Sequence, residues 1–310
     1  MKPLLLICGP TACHKSETAL RLAERWGGEI LSIDSVAVYR GMDIGSAKPD
    51  LSERERVVHH LIDIVDPDDA GFSVAVFQQA ADAVLTDLDK RGVQPILVGG
   101  SGLYLDAVLE DMGYALPSDK ELRSRLEGEY DADPEAFFKC MTRNDGPSGE
   151  KLHMNDKKRV VRAREVFLLS GKPFSSFNRD YLDAQRHDRY PSVRVGLTMP
   201  RQKLYDAIDQ RVDSMMEKGL LGEVKRLRDK GYSRRLQAMQ AIGYAQLFSY
   251  LEEEVDLDTA VDNIKRATRQ FAKRQLTWFR RDERIRWFDC ENYEEAYRDI
   301  EEYVKEKIFV

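Results

Sequence analysis

Residues 4–16 limit what this chain can fold into more than any other stretch. The apolar run Leu4-Leu5-Leu6-Ile7-Cys8 passes directly into Gly9-Pro10-Thr11-Ala12-Cys13-His14-Lys15-Ser16, and the helical spacing of Ala19, Leu20, Leu22 and Ala23 follows. A buried strand, a tight turn and a helix are expected in that order. The turn fits the phosphate-loop pattern G-x-x-x-x-G-K-[ST] except at its second glycine, where His14 stands. Inward-pointing main-chain N–H groups, the positive end of the helix and the Lys15 charge would together hold a diphosphate. Ser16 would place its hydroxyl on Mg²⁺. Left-handed geometry at residue 14 costs roughly 1–2 kcal/mol without glycine, and histidine tolerates it better than most residues. The loop alone also fits a strand–turn–helix that binds nothing.

Further strands are expected over residues 29–33, 94–98 and 193–197, with a short apolar stretch at 60–64. Helical spacing covers residues 15–25, 73–91, 203–230, 240–252, 257–281 and 293–307. Such alternation, punctuated by glycine turns, implies an α/β fold with a parallel sheet flanked by helices. Residues 118–185 are polar, helical in pattern and broken at Asp133-Pro134, Asn144-Asp145-Gly146-Pro147 and Gly171-Lys172-Pro173. The expected division is a core of residues 1–117 and 186–310, with a helical insertion over 118–185.

The chain has 310 residues, 42% hydrophobic, which suffices for a large core. Its net charge is −6, so any nucleic-acid surface must be a local patch. Such patches occur at Lys157, Lys158, Arg159, Arg162 and Arg164, and across residues 265–286, where Trp278 and Phe279 interleave with Lys265, Arg266, Arg269, Lys273, Arg274, Arg280, Arg281, Arg284 and Arg286. Unpaired RNA is bound by such mixtures of cations and ring faces, although Trp278 and Phe279 fit core packing as well. Cys8, Cys13, Cys140 and Cys290 form no CxxC pair or zinc spacing, so a reducing cytoplasm is the expected location. Cys13, near a helix N-terminus, is a candidate for a lowered thiol pKa. His59 and His60 point opposite ways on an extended segment, which favours a structural role over a metal site. The apolar start reads as a strand rather than a signal peptide, and no stretch reaches the ~20 apolar residues of a membrane span.

Seven segments in order resemble the tRNA dimethylallyltransferase family, also called tRNA isopentenyltransferases or IPP transferases. They are the loop at residues 9–16; Asp34-Ser35-Val36-Ala37-Val38-Tyr39-Arg40-Gly41-Met42-Asp43-Ile44-Gly45; His59-His60-Leu61-Ile62-Asp63; and Val98-Gly99-Gly100-Ser101-Gly102-Leu103-Tyr104. Asn155-Asp156-Lys157-Lys158-Arg159-Val160-Val161-Arg162-Ala163, Gln240-Ala241-Ile242-Gly243-Tyr244 and Lys273-Arg274-Gln275-Leu276-Thr277-Trp278-Phe279-Arg280 complete the series. The resemblance implies a P-loop NTPase-like sheet with a helical insertion, dimethylallyl diphosphate as donor, Mg²⁺ as cofactor and the tRNA anticodon stem-loop as partner. The acceptor would be N6 of the adenosine 3′-adjacent to the anticodon, flipped into a channel facing the donor.

By family position, the resemblance makes Asp34 the general base, which orients a poorly nucleophilic amine and takes its proton. Read from the residues alone, Asp34 equally suits a cap or a loop ion pair. Thr11, Lys15 and Ser16 with Mg²⁺ would face the charge that develops on the leaving diphosphate, and Ser101 and Arg211 would face the donor or the reacting centre. The donor cradle would be Gly9, Pro10, Thr11, Ala12, Cys13, His14, Lys15 and Ser16. The implied tRNA contacts are Asp34, Ser35, Val36, Ala37, Ser101, Arg123, Arg159, Arg162, Gln240, Gly243, Tyr244, Lys273, Arg274, Gln275, Trp278 and Arg280.

Ser101 stands where threonine is usual and keeps the hydroxyl, whereas three departures from the family pattern matter: His14 (glycine), Ala37 (glutamine) and Ala245 (a basic residue). They suggest reduced activity or an altered acceptor. Alternatives are a tRNA-binding relative without catalysis, a P-loop small-molecule kinase using ATP, and an enzyme prenylating free adenine nucleotides. A monomer is the default expectation.

Overall fold

The computed structural model describes residues 2–110, 119–177 and 188–308, and the expected domain boundaries at 117/118 and 185/186 fall outside them. The chain divides into two compact units, Met1–Val108 with Tyr190–Val310, and Leu109–Arg189.

The first unit is built on a six-stranded sheet in the order β3-β2-β4-β1-β5-β6. The strands are β1 (Leu4–Cys8), β2 (Gly28–Ile33), β3 (His59–His60), β4 (Gln94–Gly99), β5 (Ser192–Thr198) and β6 (Arg286–Asp289). Every pairing is parallel. β1 and β4 lie centrally and are buried along their whole length, as their unbroken apolar sequences require. The strand at β6 was not expected; it occupies an edge, and its Trp287 and Phe288 are hidden in the sequence among arginines.

Helices α1 (Lys15–Trp26), α2 (Leu51–Arg56), α3 (Val74–Arg91) and α4 (Gly102–Leu109) belong to the N-terminal half. The insertion carries α5 (Lys120–Ala132), α6 (Pro134–Asn144), α7 (Gly146–Lys151) and α8 (Lys157–Ser170). After β5 come α9 (Arg201–Glu217), α10 (Leu220–Asp229), α11 (Tyr244–Leu251), α12 (Leu257–Phe279) and, after β6, α13 (Tyr293–Ile308). The single helix expected over 203–230 is thus two. Gly219 takes φ 96° and stops the first, although the apolar spacing runs on through Leu220, Val224 and Leu227. Gly243, also at φ 96°, delays α11 from residue 240 to Tyr244.

The C-terminal ends of β1, β2 and β4 carry Gly9, Asp34 and Gly100-Ser101, so these segments converge at one end of the sheet. Gly9 must be glycine there: it has φ 138°, and a Cβ would lie 2.3 Å from the Leu197 carbonyl oxygen. The core beneath gathers Leu5, Ile7, Leu22, Ile96, Val195, Leu197, Ile208 and Ile300.

In the second unit, each of α5 to α8 begins at an aspartate. The carboxylates of Asp119, Asp133, Asp145 and Asp156 accept from the N–H groups of Leu122, Ala136, Ser148 and Arg159. Each cap contributes about 1 kcal/mol. Leu126, Tyr130, Phe137, Met141, Val160 and Val161 form this unit's own core.

Candidate active site

The segment joining β1 to α1 turns left-handed twice, at Ala12 (φ 63°) and His14 (φ 53°). This geometry turns consecutive amides toward one side. Among the described residues, the main-chain N–H groups of Ala12, Cys13, His14, Lys15 and Ser16 find no acceptor, and the first helical bond runs from Thr18 N to His14 O. Unpaired amides at a helix start form an anion site. The Thr11 N–H is the exception, donating 2.9 Å to Gln275 Oε1. Lys15 is half-buried, its Nζ 2.6 Å from the Pro10 carbonyl. Burial, reinforced by Arg211, pushes the Lys15 amine down to about 8.

A cleft of about 930 Å³ opens over this loop. Thr11 to Ser16, Asp34 to Ala37, Ser101, Arg211, Gln240, Gly243, Arg274 and Gln275 line it. Asp34 is fixed by its Oδ1, which accepts from the N–H groups of Val36 (2.7 Å) and Ala37 (3.1 Å). Its Oδ2 makes no hydrogen bond among the described residues. Arg211 is on the cleft wall rather than the outer surface. Burial lowers its pKa against the pull of Asp34, and it makes no ion pair among the described residues. Ser101 bridges the loops after β2 and β4: its hydroxyl accepts from Ser35 N (3.1 Å) and donates to Ser35 Oγ (3.3 Å).

The site also contains side chains that motif reading missed. Val212, Met215, Ile264 and Phe271 line the cleft with apolar surface, on helices where their spacing signals only core packing, and Val98 joins them from β4. Glu223 is buried and accepts from the N–H groups of Asp43 (3.0 Å), Ile44 (2.8 Å) and Gly45 (3.2 Å), so it anchors the loop that brings Gly45 to Pro49 to the cleft. Its buried position within α10 carried no sequence signal beyond a single acid among apolar neighbours.

Several expected contacts are placed differently. Tyr244 is fully buried and donates to Glu223 Oε1 at 2.6 Å, with its ring against Gly45, so it has no face for RNA. Gln275 uses its amide inside the chain, accepting from Thr11 N and donating 3.0 Å to Gly100 O. Trp278 is half-buried and donates to Asp106 at 3.1 Å. Gln240 donates to the Arg234 carbonyl. In the insertion, Arg123 and Arg162 both pair with Glu165, a carboxylate with no exposure, because a buried acid requires cationic partners. Arg159 is largely exposed, 3.5 Å from Asp156. Within the basic stretch, Lys265 and Arg269 pair with Asp213 and Asp209 of α9. Lys273, Arg274 and Arg280 are exposed and make no ion pair among the described residues. Gly9 and Pro10 are buried and are not among the residues that line the cleft. Burial pushes the Cys13 thiol up to about 11, overriding the helix N-terminus. His60 contacts Glu29 at 2.6 Å and His59 the Val57 carbonyl at 2.8 Å.

A parallel sheet, a strand–loop–helix turn with unpaired amides and a carboxylate at the end of β2 define a P-loop α/β protein. The family model for IPP transferase matches residues 37–282, and this chain belongs to that family. It is 43% identical over 98% of its length to tRNA dimethylallyltransferase 2 of Geotalea daltonii, covering 91% of that protein. It is 47% identical over 92% of its length to the tRNA dimethylallyltransferase of Heliobacterium modesticaldum, covering 88% of it. The crystal structure of a tRNA isopentenylpyrophosphate transferase from Bacillus halodurans superposes with TM-score 0.72 at 40% identity, over 99% of this chain and 97% of that one. A eukaryotic dimethylallyltransferase crystallised acting on tRNA shares the fold, with TM-score 0.82 at 24% identity over 98% of this chain and 78% of its own.

Proposed function

We propose that this chain transfers a dimethylallyl group from dimethylallyl diphosphate to N6 of the adenosine 3′-adjacent to the anticodon of tRNA, releasing pyrophosphate. The observation that carries this reading is the run of unpaired N–H groups from Ala12 to Ser16, beside the cations Lys15 and Arg211. A diphosphate is the ligand such a cradle fits. The apolar wall of Val98, Val212, Met215 and Ile264 suits a prenyl chain, which a nucleoside triphosphate does not have.

In the reaction, the bond between the allylic carbon and the diphosphate oxygen breaks while the carbon–N6 bond forms. Negative charge grows on the leaving oxygens, where the loop amides, Lys15 and Arg211 stabilise it. Asp34, held by the amides of Val36 and Ala37, points its second oxygen at the incoming amine and accepts the departing proton. Mg²⁺ would be held by Ser16 and the diphosphate oxygens and would supply further charge neutralisation. The residues fit this arrangement, because Mg²⁺ in phosphate sites takes one or two protein ligands and the rest from substrate and water. Among the described residues no cluster of three histidine, cysteine or acidic side chains offers an all-protein site.

In the first unit the exposed Lys273, Arg274 and Arg280 on and just after α12 would contact RNA, and in the second unit the exposed Arg159 would do so. The protein works as a cytoplasmic monomer in this account. The test is to incubate purified protein with dimethylallyl diphosphate, Mg²⁺ and unmodified tRNA and to analyse the nucleosides by mass. Dimethylallyladenosine in the anticodon-loop fragment is the expected product. ADP formation from ATP in a parallel reaction, with no prenylated nucleoside, would transfer the chain to the kinases.

A further inference from the structure

His14 occupies a loop position where a side chain could fill the phosphate cradle, yet its ring is held elsewhere. The imidazole stacks on Tyr293 with ring centroids 4.4 Å apart and planes 18° from parallel. Its Nδ1 lies 3.0 Å from Glu17 Oε2. Tyr293 also reaches the backbone side of the same residue: its hydroxyl is 3.3 Å from Thr18 Oγ1, which donates 2.8 Å to the His14 carbonyl. Ring and carbonyl of residue 14 are therefore both secured, directly or through Thr18, by one tyrosine at the start of α13. That tyrosine is braced in turn. The Arg21 guanidinium lies 5.6 Å from the Tyr293 ring centroid and 3.6 Å from that of Tyr297, and it pairs with Glu294 at 2.8 Å.

We propose that Tyr293 is a positioning residue for donor binding: it stacks the His14 imidazole at the rim and so keeps the cradle of residues 12–16 open to diphosphate. This rests on the donor-site reading above. Glycine at residue 14 needs no such restraint, because it has no ring to hold and takes a left-handed backbone freely. The Tyr293 requirement should accordingly depend on the residue at position 14, which a merely structural tyrosine would not show.

The experiment is a double-mutant cycle on the full chain, read as affinity for magnesium pyrophosphate by calorimetry and as KM for dimethylallyl diphosphate against kcat. Tyr293→Leu, which preserves apolar bulk without the stack, should weaken both donor parameters about five- to tenfold with kcat little changed. Tyr293→Phe, which retains the ring, should recover most of the affinity. In the His14→Gly background, Tyr293→Leu should shift affinity less than about twofold, the coupling of a contacting pair being lost with one partner. An equal loss in both backgrounds, or none in either, would overturn the proposal. So would pyrophosphate binding by His14→Gly with none by the wild-type chain, since the imidazole would then be blocking the cradle. Absence of binding by wild type and by His14→Gly alike would instead overturn the donor-site reading itself.

Discussion

Asp34 holds its turn through one carboxylate oxygen, and the proposed mechanism gives the other a second task. Oδ1 accepts from the Val36 and Ala37 amides, whereas Oδ2 makes no hydrogen bond among the described residues. Asparagine can keep the first task and cannot accept a proton. Asp34→Asn should leave the melting temperature close to wild type and lower kcat at least about 100-fold in single-turnover prenylation. Lys15 gives a pH prediction. Burial, reinforced by the neighbouring Arg211, pushes its amine down to about 8. Bound diphosphate favours that form and raises the pKa in the complex. Affinity should hold below pH 8 and then fall as pH rises, approaching tenfold per unit until the pKa of the complex is reached. Calorimetry with magnesium pyrophosphate from pH 7 to 9.5 reads this directly, and Lys15→Met should bind weakly with a flat profile over the same range.

At the level of elements, α12 is the part that joins the loops of the sheet. Gln275 accepts from Thr11 N and donates to Gly100 O, so one amide ties the β1 and β4 loops to a helix distant in sequence. Gln275→Leu would leave that N–H and that carbonyl without partners in a buried setting. It should destabilise the chain by about 1–3 kcal/mol in urea unfolding and weaken donor binding as the loop shifts. The sequence foretold the central strands well, because β1 and β4 are unbroken apolar runs ending in glycine, and the strand–turn–helix over residues 4–26 well, because its spacing is rigid. It did not reveal Gln275 or Tyr244 as internal fasteners. A glutamine and a tyrosine within a basic or polar motif look the same whether they face RNA or main chain. Arg123 and Arg162 were equally opaque, since their partner Glu165 is buried only once α5 and α8 pack. The break at Gly219 was legible as a C-terminal glycine but was outweighed by apolar spacing that continues across it. β6 was hidden because four residues flanked by charge carry too little pattern.

Over the whole molecule, an acidic chain with net charge −6 must meet a polyanion through a confined basic face. Replacing Lys273, Arg274 and Arg280 together by alanine should weaken tRNA binding. It should also reduce the slope of log affinity against log salt by about 2. Filter binding across a salt series would check both. The central claim concerns the unpaired amides between Ala12 and Ser16. Its most direct test is a crystal structure of the protein with Mg²⁺ and an unreactive thiolodiphosphate analogue of the donor. Diphosphate density is expected over those amides, beside Lys15 and Arg211, with the His14 ring still against Tyr293 and the allylic carbon on the Asp34 side. Density for the imidazole inside the loop, with no diphosphate at saturating analogue, would contradict it.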